Sequence, residues 1–150
     1  MFARLCKIFT IAVAGAVYFS QKASAQSGVH QVLNGTDVYI AYPPTDFWNK
    51  AVLFVSDIYG YNATSSQSLA DDIAERGNYL VVLPDLFNGD PWRSDRNPAE
   101  RAAWLEKFPP EVIDPLLEGV IRAIKDQWRE IEAIGGTGYC FGGKVSCYSS

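Results

Sequence analysis

The residues with the clearest chemical potential are Gly138-Tyr139-Cys140-Phe141-Gly142-Gly143. They have the form glycine-x-nucleophile-x-glycine, with cysteine at the centre where serine is commoner. The glycines have a physical reason: the nucleophile of such a motif sits on a strained turn, and bulky neighbours would clash with it. The turn lifts the side chain above the edge of a sheet. The helix that starts there aims backbone N–H groups and its positive end at the same spot, which suits a thiolate and the oxyanion formed on attack. A cysteine in a Gly-rich turn can also be a small buried core residue. The strand expected before it and the helix expected after it favour the nucleophile. A second oxyanion donor is required from the loop after an earlier strand, and Asp57-Ile58-Tyr59-Gly60 is that loop. The N–H groups of Ile58 and Phe141 are the expected pair, the plainer alternative being that Tyr59-Gly60 is only a turn.

The elements that must position these groups follow from hydrophobic periodicity. Thr36 to Tyr42 alternates and predicts an edge strand ended by Pro43-Pro44. Ala51 to Val55 and Tyr79 to Leu83 are continuous apolar runs, as expected of strands buried on both faces. Between them Ser66 to Arg76 has helical spacing at Leu69, Ile73 and Ala74, closed by Gly77 as a C-cap. Asn88 to Pro98 reads as a surface excursion, Ala99 to Phe108 as a short helix, and Pro109-Pro110 as a break. Val112, Leu116, Leu117, Val120, Ile121, Ile124 and Trp128 then recur at steps that predict an amphipathic helix. Glu132 to Gly138 is a third strand candidate, and a helix is expected from Gly142 onward. Alternating strands and helices imply a parallel sheet with crossover helices, whose ligands sit at the carboxyl ends of the strands. Asp57-Ile58-Tyr59-Gly60, Asp85-Leu86-Phe87 and Tyr139-Cys140-Phe141-Gly142 all fall there.

Composition narrows the class. The 150 residues suit one modest domain, and the net charge of −4 with no basic stripe argues against nucleic acid or an acidic membrane surface as partner. Arg4 and Lys7, the apolar run Ile8 to Phe19 and the small-x-small triplet Ala23-Ser24-Ala25 have the layout of a secretory signal peptide. The run is too short for a spanning helix. Residues 1–25 are therefore expected to be removed, leaving Gln26 first in a secreted chain. Asn34-Gly35-Thr36 and Asn62-Ala63-Thr64 are N-x-T sequons that matter only if the chain enters a glycosylating secretory pathway. Of the three cysteines, Cys6 leaves with the leader. Cys140 and Cys147, seven residues apart, would be about 10 Å apart on one helix, beyond the reach of a disulfide.

Ser56-Asp57-Ile58-Tyr59-Gly60, Val82-Leu83-Pro84-Asp85-Leu86-Phe87 and Gly138-Tyr139-Cys140-Phe141-Gly142-Gly143-Lys144 together resemble the dienelactone hydrolase family, particularly its fungal branch. The resemblance runs from about Thr36 to the end. It implies an α/β-hydrolase fold, doubly wound around a mainly parallel sheet, that opens lactones or cleaves esters through a Cys-His-Asp triad. Cys140 matches the nucleophile, and Ile58 and Phe141 match the oxyanion donors. Asp57 falls where some members carry a Glu that contacts the resting thiol, and is one methylene shorter. Bacterial members also hold a substrate carboxylate with an Arg soon after the strand that Pro84-Asp85 ends. This chain has Asn88-Gly89-Asp90 there, so substrate choice does not carry over, and Arg93 and Arg96 read as solvated loop charges. No metal or organic cofactor is implied.

In this fold the triad acid and histidine follow the nucleophile. The ten residues after Cys140 contain no Asp, Glu or His, and the single histidine, His30, precedes the first expected strand and reads as an exposed terminal residue. Residues 26–150 are accordingly expected to be the N-terminal part of one hydrolase domain, cut off after the elbow, with the elbow strand left as an exposed hydrophobic edge. Two functions follow: a secreted hydrolase of lactones or small esters whose His and Asp lie outside this chain, or a truncated, catalytically inactive homologue that binds small ligands or a partner protein. A secreted thiol-redox role would want a C-x-x-C pair, which is absent.

Overall fold

The structure, a computed structural model, describes residues 27–146. The expected leader, Gln26 and Cys147 lie outside the described residues. Chain order is β1 (Val29–Leu33), β2 (Thr36–Ala41), β3 (Lys50–Val55), α1 (Thr64–Gly77), β4 (Leu80–Pro84), α2 (Arg101–Leu105), α3 (Pro110–Gln127), β5 (Ala133–Gly138) and α4 (Phe141–Ser146). A single 3-10 turn, Pro98–Glu100, runs straight into α2. It is capped by Asn97, whose side chain accepts the Ala99 N–H.

The five strands form one sheet in the order β1-β2-β4-β3-β5. The α/β class with crossover helices is as expected, and β4, β3 and β5 run parallel. The first strand was not anticipated, and it corrects the reading of the second. β1 pairs antiparallel with β2, and β2 pairs antiparallel with β4, so β2 lies inside the sheet and is not an edge. The cause is the Asn34-Gly35 turn, with both residues left-handed (φ 50° and 79°). That is the geometry of a tight hairpin whose twist matches its strands. The α1 terminus also differs from expectation. Gly77 is the last helical residue, and Asn78 forms the left-handed cap (φ 54°), its amide donating to Phe47 O at 2.9 Å and its carbonyl accepting from Thr45 Oγ1 at 2.8 Å.

Strand alternation sends side chains to two cores. Val38, Ile40, Leu53, Val55, Leu80 and Val82 pack on Ile113, Leu117, Val120 and Ile124, the 3-4-spaced stripe of α3. Their neighbours in sequence, Tyr39, Ala41, Phe54, Val81 and Leu83, pack on Ala70 and Ala74 of α1. The sheet is thus covered on both faces, and the loops at the carboxyl ends of β3 and β5 open side by side. β5 pairs only with β3 among the described residues. This edge is exposed as expected but is not hydrophobic: Ala133, Gly135, Gly136 and Thr137 are its exposed residues.

Candidate active site

Cys140 lies two residues beyond the last β5–β3 pair, Gly138 with Val55. Its backbone is left-handed (φ 55°), a conformation that costs a non-glycine residue energy and marks a forced turn. The chain reverses there directly into α4, with Gly142 N–H donating to Tyr139 O (3.0 Å) and Lys144 N–H to Cys140 O (3.3 Å). The thiol is free and exposed. Two of the motif glycines are sterically obligatory. A Cβ on Gly142 would lie 2.0 Å from Val55 O, and one on Gly138 would lie 2.8 Å from the same atom and 2.7 Å from the Gly142 carbonyl carbon. These contacts draw the elbow onto the end of β3 and so bring Cys140 beside the loop that follows it.

In that loop the Asp57 carboxylate accepts the Tyr59 N–H (2.9 Å) and Asp57 O accepts the Gly60 N–H (3.1 Å), with Gly60 itself left-handed. The Asp57 side chain is thus engaged within its own turn. Ile58 O accepts the Trp92 N–H (2.8 Å), which ties the loop to the excursion after β4. Among the described residues, neither the Ile58 nor the Phe141 N–H donates to an acceptor, whereas the adjoining Tyr59, Gly60 and Gly142 N–H groups all do. From the α1 side, Tyr139 Oη and Ser66 Oγ meet at 3.3 Å, joining the elbow to the first turn of α1. Ser56, at the end of β3, is fully buried with its hydroxyl unpartnered among the described residues. Among the described residues no three His, Cys, Asp or Glu side chains gather as a metal site.

The dienelactone hydrolase family profile matches residues 36–150, a span that includes both loops and the elbow. The chain belongs to the dienelactone hydrolase family. It is 42% identical over 108 residues to a hydrolase of Aspergillus violaceofuscus, pyvD, covering 71% of this chain and 43% of that protein. It is 32% identical over 108 residues to the carboxymethylenebutenolidase homolog of Mus musculus, with the same two coverages. The chain therefore spans under half the length of these relatives. The solved structure named m3DLH matches 80% of this chain and 51% of its own at a TM-score of 0.55 and 17% identity, which supports the fold.

In this dienelactone hydrolase family chain the elbow rests on an aromatic cluster that motif reading did not find. Phe87, 1% exposed, is the hub, with ring centroids 5.3 Å from Phe141, 5.0 Å from Trp104 and 5.0 Å from Phe108. Trp92 joins through Trp104 at 5.6 Å. The aromatic density of residues 87–108 was the available signal. Asp85, buried at the end of β4, shapes this excursion by accepting the Phe87 N–H (3.0 Å) and the Gly89 N–H (2.6 Å). The expectation that Arg93 and Arg96 are both solvated needs correction. Arg93 is exposed and pairs with exposed Asp95. Arg96 is mostly covered: it stacks over Trp92 (5.8 Å to the centroid) and bonds Asp90, whose main-chain oxygen accepts the Trp104 indole N–H at 2.9 Å. That bond to Arg96, with Lys107 as a second cation, holds the Asp90 carboxyl below its usual range.

His30 lies on the opposite edge of the sheet from the elbow strand. It sits on β1, paired with Tyr39 of β2, and its ring stands edge-on to Tyr39 and Tyr61 at 5.4 and 5.7 Å. It is exposed, as expected, but belongs to a strand and contacts Gln67 (3.3 Å). β1 and β5 are opposite edges of the sheet. Four inter-strand steps of about 4.8 Å put about 19 Å between them. No histidine of this chain reaches Cys140.

Proposed function

We propose that this chain carries the nucleophile half of a cysteine-dependent hydrolase that opens lactones or cleaves small carboxylic esters. The observation that supports this best is the left-handed Cys140 elbow, packed by Gly142 against the end of β3. In the reaction the Cys140 sulfur bonds to the carbonyl carbon. The oxygen's negative charge is met by the Ile58 and Phe141 N–H groups, and the bond to the alcohol or ring oxygen breaks, that oxygen taking up the proton the thiol gave up, to leave an acyl-thioester. Water then cleaves the thioester, returning the thiol and releasing the acid. The family resemblance supplies His and Asp as the base and its orienting acid from chain beyond the elbow. Residues 1–25 act as an export signal in this reading, residues 26–150 form the first part of the hydrolase domain, and the protein works outside the cell.

One observation favours a second reading for the 150-residue chain by itself. Its only histidine is on the far edge of the sheet, so the thiol has no imidazole base, and the fold would bind an ester or a partner without turning it over.

Both readings are tested by mixing the chain with an activated aromatic ester and following intact mass and phenolate release. The expected result is one acyl group per chain, mapped to Cys140, with slow release and no adduct on Cys140→Ala. Acylation elsewhere, or none, would sink the nucleophile assignment. Non-covalent binding without acylation would establish the second reading.

A further inference from the structure

We infer that, of the two N-x-T sequons, Asn62 is a site of N-linked glycosylation and Asn34 is not. The inference rests on the export proposed above for its physiological setting, and on side-chain geometry for its choice of residue.

Asn34 has a structural reason to be asparagine. It occupies the first left-handed position of the β1–β2 turn (φ 50°), where Asn tolerates a backbone other L-residues resist, and Gly35 takes the second (φ 79°). Its Nδ2, the atom that would carry the sugar, is seated on α3. A Cβ built on Gly119 would lie 2.2 Å from it, and Gly119 is buried. A glycan on Asn34 would have to lift this amide off the helix. The sequon threonine, Thr36, is a half-buried residue of the β1–β2 ladder, paired with Leu33.

Asn62 differs in its backbone and in what its side chain touches. Its backbone is not left-handed, so the turn does not demand an asparagine. Like Asn34 it is exposed, but it lies in the loop between β3 and α1 and not in a strand-to-strand turn. Its Oδ1 accepts from Gln67 Nε2 at 3.2 Å, and Gln67 is 2% exposed. That bond engages the carboxamide through its oxygen, not through the nitrogen that would carry the sugar. Thr64, the first residue of α1, is exposed as well. The modification joins Asn62 Nδ2 to the anomeric carbon of a lipid-diphosphate-linked oligosaccharide. The carbon–oxygen bond to the diphosphate breaks, the lipid diphosphate leaves, and Nδ2 loses one proton, with no oxidant or reductant involved. The sugar then stands four residues beyond Ile58, at the rim of the candidate site.

The test is to express the whole 150-residue chain in a eukaryotic secretory host, once with its own N-terminus and once behind a leader of proven export. Glycans are removed enzymatically in heavy-oxygen water, which converts each occupied Asn to a labelled Asp, and peptides from cells and medium are weighed. The expected result behind the proven leader is label at Asn62 and none at Asn34. Asn62→Gln and Thr64→Ala should each abolish the glycan-dependent gel shift, and Asn34→Gln should keep it. Thr64→Ala retains the Asn62 side chain and its bond to Gln67, so it separates loss of the site from damage to the loop. Label at Asn34, or an unmodified Asn62 behind the proven leader, would overturn the inference. Label at Asn62 with that leader but not with the chain's own N-terminus supports the site and overturns the export reading.

Discussion

A methyl group at Gly142 would lie 2.0 Å from Val55 O and 2.8 Å from Ser56 O, both backbone atoms that cannot swing aside. Gly142→Ala should therefore displace the elbow, costing about 3 kcal/mol or more and slowing alkylation of Cys140. One residue on, a Cβ at Gly143 meets nothing nearer than Gly138 O at 3.5 Å, ordinary contact within a helix. Gly143→Ala should be neutral or stabilising by up to ~1 kcal/mol. Denaturant midpoints and iodoacetamide rates for the pair check this, and equal losses in both variants would show that the contact with β3 does not define the turn. Tyr39 supports a second test. Its phenol, buried and donating to the Asp71 carboxylate (2.9 Å), is pushed up to about 12 by burial first, then by Asp71, with the Gly28 N–H opposing. Because the folded value exceeds the ordinary 10, the protonated form favours the fold. Its contribution, of the order of 2 kcal/mol, is full below about pH 10 and is lost as pH rises through about 12. Urea midpoints should fall across that window, and less steeply in Tyr39→Phe. That variant should also lose about 1–3 kcal/mol at neutral pH, because the buried Asp71 carboxylate forfeits a donor.

The hairpin of β1 and β2 is an element whose shape depends on two left-handed residues. Gly35 has φ 79° and nothing within 4 Å of an added Cβ, so Gly35→Ala isolates the backbone cost, about 1–2 kcal/mol, from any steric one. Thermal or urea unfolding reads it, and no change would mean that the turn has relaxed to another type. The same hairpin shows what sequence could and could not convey. β3 and β4 were legible because buried parallel strands are unbroken apolar runs, and α3 because its stripe keeps helical period. β1 was missed because four of its five residues are exposed or only half-buried and so lack an apolar pattern. Asn34-Gly35 opens an N-x-T sequon and is at the same time the hairpin turn. α1 begins at Thr64, before Ser66, and its N-cap Ala63 makes no side-chain capping bond that would mark the start in the sequence. At the site, Gly138 and Gly142 were legible because the turn leaves no room for a Cβ there, and Cys140 because a nucleophilic residue stands between them where the backbone favours glycine. The Phe87–Phe141 contact was not, since it depends on how the excursion folds back over the sheet.

Across the whole molecule, sheet order decides which groups can cooperate. Val29–Leu33 and Ala133–Gly138 are the two edges, with β2, β4 and β3 between them. The backbones of the edge that carries His30 and of the edge that leads to Cys140 are therefore about 19 Å apart. At physiological ionic strength that exceeds twice the screening length of about 8 Å, so even a charged imidazole would contribute little to the thiolate. The intervening layer is also packed: Tyr39, Leu83 and Phe54 are each at most 1% exposed. His30→Ala should accordingly leave the rate of Cys140 alkylation unchanged at every pH. The comparison needs only the reagent and the two proteins, and is independent of any substrate. A depressed rate near neutral pH in His30→Ala, restored by adding imidazole, would mean that His30 serves as the base after all. That result would require either a rearranged sheet or a second copy of the chain bringing its β1 edge to the elbow of the first.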